Sequence, residues 1–280
     1  MLVKAGSGVM TAGIPDSLGV PGGCAQDTLT AVYNDLDSVE QLFQQHRGNV
    51  AAVILEPVAA NMGVVLPKPG FLQELRRLCD ANGALLIFDE VITGFRLAFG
   101  GAQEYFGVQA DLATYGKIIG GGMPVGAYGG RREIMETVAP LGGVYQAGTL
   151  SGNPVAMAAG LAQLRFLLDN PQVYGQIDQS CAYLVEGLQK AAAEAGEPLT
   201  ARRIGSLACL FFTGSPVEDY GSAKSSDTAK FARYFNAMLA RGHYFAPSQF
   251  EAIFLGYAHT KADLDRTIED ARAVMKTLHC

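Results

Sequence analysis

The chain has 280 residues, which is long enough for a large hydrophobic core and exceeds the size at which single cores usually divide into domains. With 49% hydrophobic and 17% charged residues, it is predicted to be a compact soluble protein rather than a disordered one. Its net charge of −6 provides no basic field for nucleic acid or an anionic membrane. No apolar run is long enough to span a bilayer and no secretory signal is recognisable, so a cytoplasmic location is expected.

The cysteines and histidines do not indicate a metal centre. The five cysteines are scattered without a C-x-x-C pair, and the four histidines are dispersed along the chain. This distribution is typical of reduced thiols in a cytosolic protein, and metal catalysis is not expected.

The first half of the chain alternates between predicted strands and helices. Residues 1–25 are rich in Gly, Ser and Pro and are predicted to form a long loop. A helix is expected over 37–48, followed by a buried strand over 50–58. An amphipathic helix over 71–83 then leads into a second buried strand over 84–95. This order predicts an α/β fold with a mostly parallel sheet.

Three ionisable residues are predicted at one edge of that sheet. Glu56 ends the first apolar run, Asp89 ends the second, and a short strand over 110–117 ends at Lys117. Ligands of open parallel sheets bind at the carboxyl ends of the strands, so this edge is the predicted site.

The second half is predicted to form a smaller α+β domain. Its expected elements are helices over 151–170, 183–196, 226–241 and 262–278, a strand over 206–216 and an apolar stretch over 253–258. The predicted domains are residues 1–165 for the large domain and 166–280 for the small one.

Lys117 precedes a glycine-rich stretch, YGKIIGGGMPVGAYGG (115–130), for which three interpretations compete. A phosphate-binding loop is disfavoured because the lysine comes before the glycines, the reverse of the GxxxxGK[ST] order. A plain glycine-rich turn remains open, as does a structural role for Asp89 at its strand end. A covalent lysine fits better, because pyridoxal phosphate needs an amine and an acid that faces its ring nitrogen.

Several segments resemble one known family closely. They are FDEVITGFR (88–96), the stretch 115–130, AGTLSGNPVAMAAG (147–160) and APSQFEA (246–252), with EPVAANMG (56–63), VKAGSG (3–8) and AHT (258–260) in support. Together they resemble the class III, fold-type I, pyridoxal-phosphate-dependent aminotransferases, and APSQFEA and the opening loop resemble the aminomutase group within that family.

The resemblance implies a fold and an activity. The fold would be that of fold-type I transferases, with a mostly parallel large domain and a smaller α+β C-terminal domain. The chain would be an isomerase that uses pyridoxal 5'-phosphate to move an amino group within glutamate-1-semialdehyde, giving 5-aminolevulinate for tetrapyrrole synthesis. It would act as a homodimer in the cytoplasm, or in a plastid if a preceding N-terminal part carried a transit peptide.

The resemblance also implies roles for single residues around the cofactor. Lys117 would bind the cofactor covalently and transfer protons between the two substrate carbons. Asp89 would pair with the pyridine nitrogen, and Val91 would pack on the ring. Asn61 would approach the phenolic oxygen. Thr149 would reach a cofactor phosphate across the dimer interface.

Two further roles concern the substrate. Glu251 would face the substrate and the reaction intermediate. The opening loop, with Ser7 and Gly8, would form a lid that retains the intermediate.

The resemblance finally implies that about a third of the family protein precedes the lid. That part would carry a phosphate loop, an aromatic residue that stacks on the ring and an arginine for the substrate carboxylate. Two alternatives to the aminomutase therefore stay open: a truncated, inactive fragment, and a class III aminotransferase with another substrate.

Overall fold

The computed structural model describes residues 27–278. These residues form two compact units, which we call the N-terminal and C-terminal units. The N-terminal unit comprises Phe43–Pro57 and Pro69–Tyr174. The C-terminal unit comprises residues 27–42, 58–68 and 175–278. The division into domains at residues 165 and 166 stays a prediction.

The N-terminal unit is built on a four-stranded sheet. Its strands are β1 (Ala52–Leu55), β2 (Leu85–Asp89), β3 (Leu112–Tyr115) and β4 (Ala127–Gly130), in the order β1-β2-β3-β4. The first three strands are parallel, and β4 pairs antiparallel with β3. The expectation of an α/β fold with a mostly parallel sheet is confirmed.

The helices follow and precede the strands along the chain in the order that the periodicity predicted. Helix α1 (Leu36–Gln45) precedes β1, and α2 (Phe71–Asn82) lies between β1 and β2. α2 buries Leu72, Leu75 and Cys79 on the face that packs against β2. It ends at Gly83, whose φ of 67° suits a residue without a Cβ.

The second predicted strand, 84–95, is too long. β2 ends at Asp89, and the chain turns before helix α3 (Gly101–Phe106). The reason is Glu90, which is fully buried and accepts hydrogen bonds from the Ala102 amide at 2.6 Å and the Thr93 hydroxyl at 3.0 Å. A buried carboxylate needs such donors, so the backbone leaves the sheet to supply them.

Two helices complete the N-terminal unit. The short α4 (Arg132–Met135) follows β4, and α5 (Pro154–Asp169) follows a loop. Asn153 caps the N-terminus of α5: its side chain accepts from the amides of Val155 and Ala156, and Pro154 is the first helical residue. Helix α6 (Gln172–Ala195) then begins eleven residues before the predicted start at 183.

The C-terminal unit contains a three-stranded antiparallel sheet, β5 (Thr200–Ile204), β6 (Leu207–Phe211) and β7 (Ile253–Phe254). All five residues of β6 are buried, so the central strand is covered on both faces. The remaining helices are α7 (Tyr220–Lys224), α8 (Thr228–Ala240) and α9 (Lys261–Met275). α9 carries a capping box in which Thr260 and Asp263 bond reciprocally to each other's backbone amides.

Candidate active site

Asp89 lies at the carboxyl end of β2, directly beside Thr114 of β3 in the parallel register. One carboxylate oxygen, Oδ1, accepts hydrogen bonds from the Val91 amide at 3.0 Å and the Thr114 hydroxyl at 3.2 Å. The other oxygen receives no hydrogen bond from the part of the chain that the structure describes. Asp89 is therefore fixed through one oxygen, and the second is available to a cationic or N–H partner.

Lys117 follows the carboxyl end of β3 and is exposed. Its φ of 50° lies in the left-handed region, which costs a residue with a side chain about 1 kcal/mol. It opens a 3₁₀ turn, Lys117–Gly120, that ends at Gly121 with a φ of 56°. Backbone strain of this kind persists only where packing imposes it.

Helix α5 imposes that packing on the 3₁₀ turn. A Cβ on Gly160 of α5 would lie 2.1 Å from the carbonyl oxygen of Ile119 in the turn. A Cβ on Gly121 would lie 2.5 Å from the carbonyl oxygen of Ala159. Both glycines thus allow direct backbone contact between α5 and the turn, which gives the glycine-rich stretch a packing role beside Lys117.

Gly116 and Val91 form the wall between the two strand ends. A Cβ on Gly116 would lie 3.2 Å from Cγ1 of Val91, closer than most real contacts. Glycine at this position lets the backbone before Lys117 approach the loop after Asp89.

Tyr115 ends β3 two residues before Lys117 and was not singled out as a site residue from the sequence. Its hydroxyl accepts from the Gln103 amide at 3.4 Å, and its ring lies 5.9 Å from that of Phe95. Burial, followed by the charge of Glu90, raises the pKa of Tyr115 above its ordinary value. The neutral phenol is thereby favoured, and the residue serves packing.

The other predicted site residues are distributed over both units. Thr149 is exposed in the loop between α4 and α5, and Glu56 follows the carboxyl end of β1; both belong to the N-terminal unit. Asn61 and Glu251 are partly buried in the C-terminal unit. Ser7, Gly8 and the rest of the predicted lid lie outside the described residues.

A second cluster of charges, centred on Asp111, was missed from the sequence. The Asp111 carboxylate accepts from the Leu86 amide at 2.7 Å, from Arg76 at 2.7 Å and from Arg131 at 2.9 Å. Burial alone would raise the pKa of Asp111, but these three donors outweigh it and the pKa lies below its ordinary value. Because every oxygen is engaged, the cluster ties β2 to its neighbours and offers nothing to a ligand.

The described cysteines are poor candidates for chemistry. Cys79, Cys181 and Cys209 are buried free thiols. Burial raises the pKa of Cys79 and of Cys181 to about 11 and that of Cys209 to about 12. Such thiols stay protonated near neutral pH and are weak nucleophiles.

Residues 27–278 contain neither a candidate metal site nor a candidate membrane-spanning helix. They contain no group of three or more His, Cys, Asp and Glu side chains that could hold a metal ion. None of their helices combines the length and the apolar character needed to cross a bilayer.

Comparison with known sequences identifies the family. The sequence model described as aminotransferase class-III matches residues 8–268. The chain belongs to the class III aminotransferases.

Within this family, the chain is similar to curated proteins that share one name. The chain is 63% identical over 275 residues to glutamate-1-semialdehyde 2,1-aminomutase of Ruminiclostridium cellulolyticum, covering 98% of this chain and 63% of that protein. It is 65% identical over 269 residues to the same-named protein of Acetivibrio thermocellus, covering 96% and 62%. The chain thus spans a little under two thirds of the length of these relatives.

Solved structures give the same fold. An omega-transaminase from Sphaerobacter thermophilus superposes with a TM-score of 0.89 at 33% identity, covering 95% of this chain and 61% of that one. A glutamate-1-semialdehyde aminomutase from Pseudomonas aeruginosa in complex with PMP gives 0.80 at 26% identity, covering 92% and 59%.

Proposed function

We propose that the chain carries the lysine-bearing part of an aminomutase that converts glutamate-1-semialdehyde to 5-aminolevulinate with pyridoxal 5'-phosphate. The main support is the identity of 63% to a protein of that name over nearly the whole chain. A second support is the arrangement of Asp89 and Lys117 at the carboxyl ends of adjacent parallel strands.

The residues of this edge fit the cofactor. A protonated pyridine nitrogen needs a carboxylate oxygen that accepts no other hydrogen bond. Oδ2 of Asp89 accepts none from the described residues. The two donors on Oδ1 orient the group. An exposed lysine on the neighbouring strand end provides the amine. Val91, half-buried beside Gly116, provides an apolar surface for a ring.

In the proposed mechanism Lys117 holds the cofactor before substrate arrives and then moves protons at its Nζ. When bound, pyridoxal phosphate withdraws electrons from the substrate carbon that loses a proton. Lys117 Nζ would take a proton from one substrate carbon and return one to the neighbouring carbon, while one carbon would receive an amino group from the cofactor and the other would give one up to it. No atom would be gained or lost overall, so the net result would be isomerisation. Lys117 is exposed, so packing does not prevent its side chain from reaching both positions.

Asp89 keeps the ring nitrogen protonated in this scheme. Its negative charge stabilises an N–H⁺ partner, and the hydroxyl of Thr114 and the amide of Val91 keep the carboxylate in one orientation. Val91 packs on the ring and excludes water from that face.

The remaining roles complete the proposal residue by residue. Asn61 faces the phenolic oxygen of the cofactor, and Glu251 faces the substrate. Thr149 binds a cofactor phosphate held by a second copy of the chain. Ser7 and Gly8 belong to a lid that closes over the intermediate.

A homodimer in the cytoplasm is part of the proposal. The homodimer is supported by helix α5, which is mostly apolar, although only Ala156, Gly160 and Leu167 of it are buried. A helix this rich in apolar residues is normally covered over most of its surface. Val155 and Leu161 are among its exposed residues, with 61% and 50% of their surface accessible.

The test is product formation by the purified 280-residue chain supplied with pyridoxal phosphate and glutamate-1-semialdehyde. The proposal predicts 5-aminolevulinate without any added amino acid, and its loss in Glu251→Gln. A class III aminotransferase with another substrate would instead require an amino donor and an oxo acid. Absence of both activities, with the chain folded, would identify an inactive fragment and contradict the proposal for this chain.

A further inference from the structure

Two short segments of the C-terminal unit carry Asn61 and Glu251. The first, which we call the Asn61 loop (59–65), is closed by two hydrogen bonds between Ala59 and Val65, at 3.2 and 2.9 Å. The second, the Glu251 turn (248–251), is closed by the Glu251 amide, which donates to the Ser248 carbonyl at 3.2 Å. Each segment therefore has a defined shape of its own.

One backbone hydrogen bond joins the two segments. The Gly63 amide donates to the carbonyl oxygen of Phe250 at 2.7 Å. Gly63 lies two residues after Asn61, and Phe250 immediately precedes Glu251. A displacement of either segment is therefore transmitted to the other.

Strand β6 supports both segments from the same side. A Cβ on Gly63 would lie 2.3 Å from Cζ of Phe211 and 3.1 Å from Sγ of Cys209. The Cys209 thiol donates to the Gln249 carbonyl at 3.5 Å. The Asn61 loop and the Glu251 turn thus rest on neighbouring side chains of one buried strand.

Gln249 fixes the Glu251 turn to that strand with its side chain. The residue is 3% exposed, and its amide nitrogen donates to the Leu210 carbonyl of β6 at 2.5 Å. Its amide oxygen takes no hydrogen bond from the described residues. A buried amide that is only half satisfied is costly, so stability alone would favour an apolar side chain here.

We propose that Gln249 and Gly63 are positioning residues that hold Asn61 and Glu251 at a fixed separation on β6. The inference rests on the proposed function, since that separation matters to catalysis only if Asn61 and Glu251 act in the aminomutase reaction. Groups that act on one substrate must be held in register, and a displacement of about 1 Å can lower a rate by roughly a hundredfold. The hydrogen bond between Gly63 and Phe250 is the element that couples the two groups.

The first test measures amide hydrogen exchange in the 280-residue chain, without cofactor, for the parent and for Gln249→Leu. The expected result is faster exchange in the Glu251 turn and, through the Gly63 amide, a rise of about tenfold in the Asn61 loop. Faster exchange in the turn alone would overturn the coupling. Unchanged exchange in both would overturn the anchoring role of Gln249.

Gly63→Ala perturbs the Asn61 loop, the other partner in the hydrogen bond between Gly63 and Phe250. Gly70→Ala is its matched control. The two glycines have φ values of 81° and 82°, so alanine strains the backbone equally. Only at Gly63 does the added Cβ overlap Phe211, whereas Gly70 has open space around it. Exchange in the Glu251 turn should rise in Gly63→Ala alone, and Phe211→Leu in the same chain should reduce it again. Equal effects of the two variants would overturn the proposal.

Kinetics separate this inference from the proposed function. In a parent that forms 5-aminolevulinate, Gln249→Leu should lower kcat about tenfold at unchanged KM and with a melting temperature no lower than that of the parent. A variant with altered exchange and parental kcat would overturn the positioning role. A parent that forms no 5-aminolevulinate contradicts the proposed function, while the exchange results still decide whether the two segments are coupled.

Discussion

Substitution of Gly160 by alanine tests whether contact between α5 and the 3₁₀ turn positions Lys117. Alanine in a helix interior is favoured over glycine by about 1 kcal/mol. The added Cβ would, however, lie 2.1 Å from the Ile119 carbonyl oxygen, about 1.3 Å inside the 3.4 Å at which ordinary contact begins. Overpacking against backbone costs about 3 kcal/mol, so a net loss of about 2 kcal/mol is expected.

Gly175→Ala is the matched control, because Gly175 lies in helix α6 with no atom near its added Cβ. Urea unfolding should show a gain of about 1 kcal/mol for this variant and a loss for Gly160→Ala. Labelling of Lys117 by pyridoxal phosphate and borohydride should fall only in Gly160→Ala. Two variants of equal stability, or normal labelling in a destabilised Gly160→Ala, would refute the contact as the cause of the lysine's placement.

Two further predictions concern the strand ends. Thr114→Val removes one hydrogen-bond donor from Asp89, so the affinity for pyridoxal phosphate, measured by fluorescence titration, should fall roughly tenfold. The control is Thr137→Val, which loses only a local hydrogen bond to the Ile134 carbonyl and should bind the cofactor normally. Asp111→Asn should cost about 2 kcal/mol at pH 7, because it leaves two arginines short of a charge. The pKa of Asp111 is lowered in the folded state, so its contribution to the free energy of unfolding is present above about pH 4 and is lost as the pH falls further. The difference between parent and variant in urea unfolding should therefore shrink on acidification.

The parallel strands and the amphipathic helices could be predicted because their signals are local. The apolar runs before Pro57 and Asp89 both form parallel strands. The expectation of a buried strand over 50–58 was wrong in length and burial, because β1 spans only Ala52–Leu55 and its Ile54 is 62% exposed. Strand β4, with the sequence AYGG, gives no such signal, since it is mostly exposed and half glycine. The end of β2 was misplaced because Glu90 is fully buried, which its residue type does not indicate.

The candidate site could be predicted in part for the same reason. Asp89 and Lys117 stand at the ends of recognisable strands, and the sheet topology brings those ends to one edge. The contact between Gly160 and the 3₁₀ turn that begins at Lys117 is not visible in the sequence, because it joins segments far apart in the chain.

The link between Asn61 and Glu251 is non-local as well. It consists of one hydrogen bond between two loops and a shared support on β6. The sequence offers only indirect signals, a glycine after NM and a glutamine before FE. Tertiary contacts of this kind are seen only in the three-dimensional structure.

The most direct measurement is to add pyridoxal phosphate to the purified 280-residue chain, record its visible absorption, reduce it with borohydride and map the labelled peptide by mass spectrometry. A single adduct on Lys117, absent from Lys117→Ala, is the predicted result. Label spread over surface lysines such as Lys190 and Lys261, with Lys117→Ala labelled as strongly as the parent, would contradict the assignment of Lys117 as the cofactor lysine.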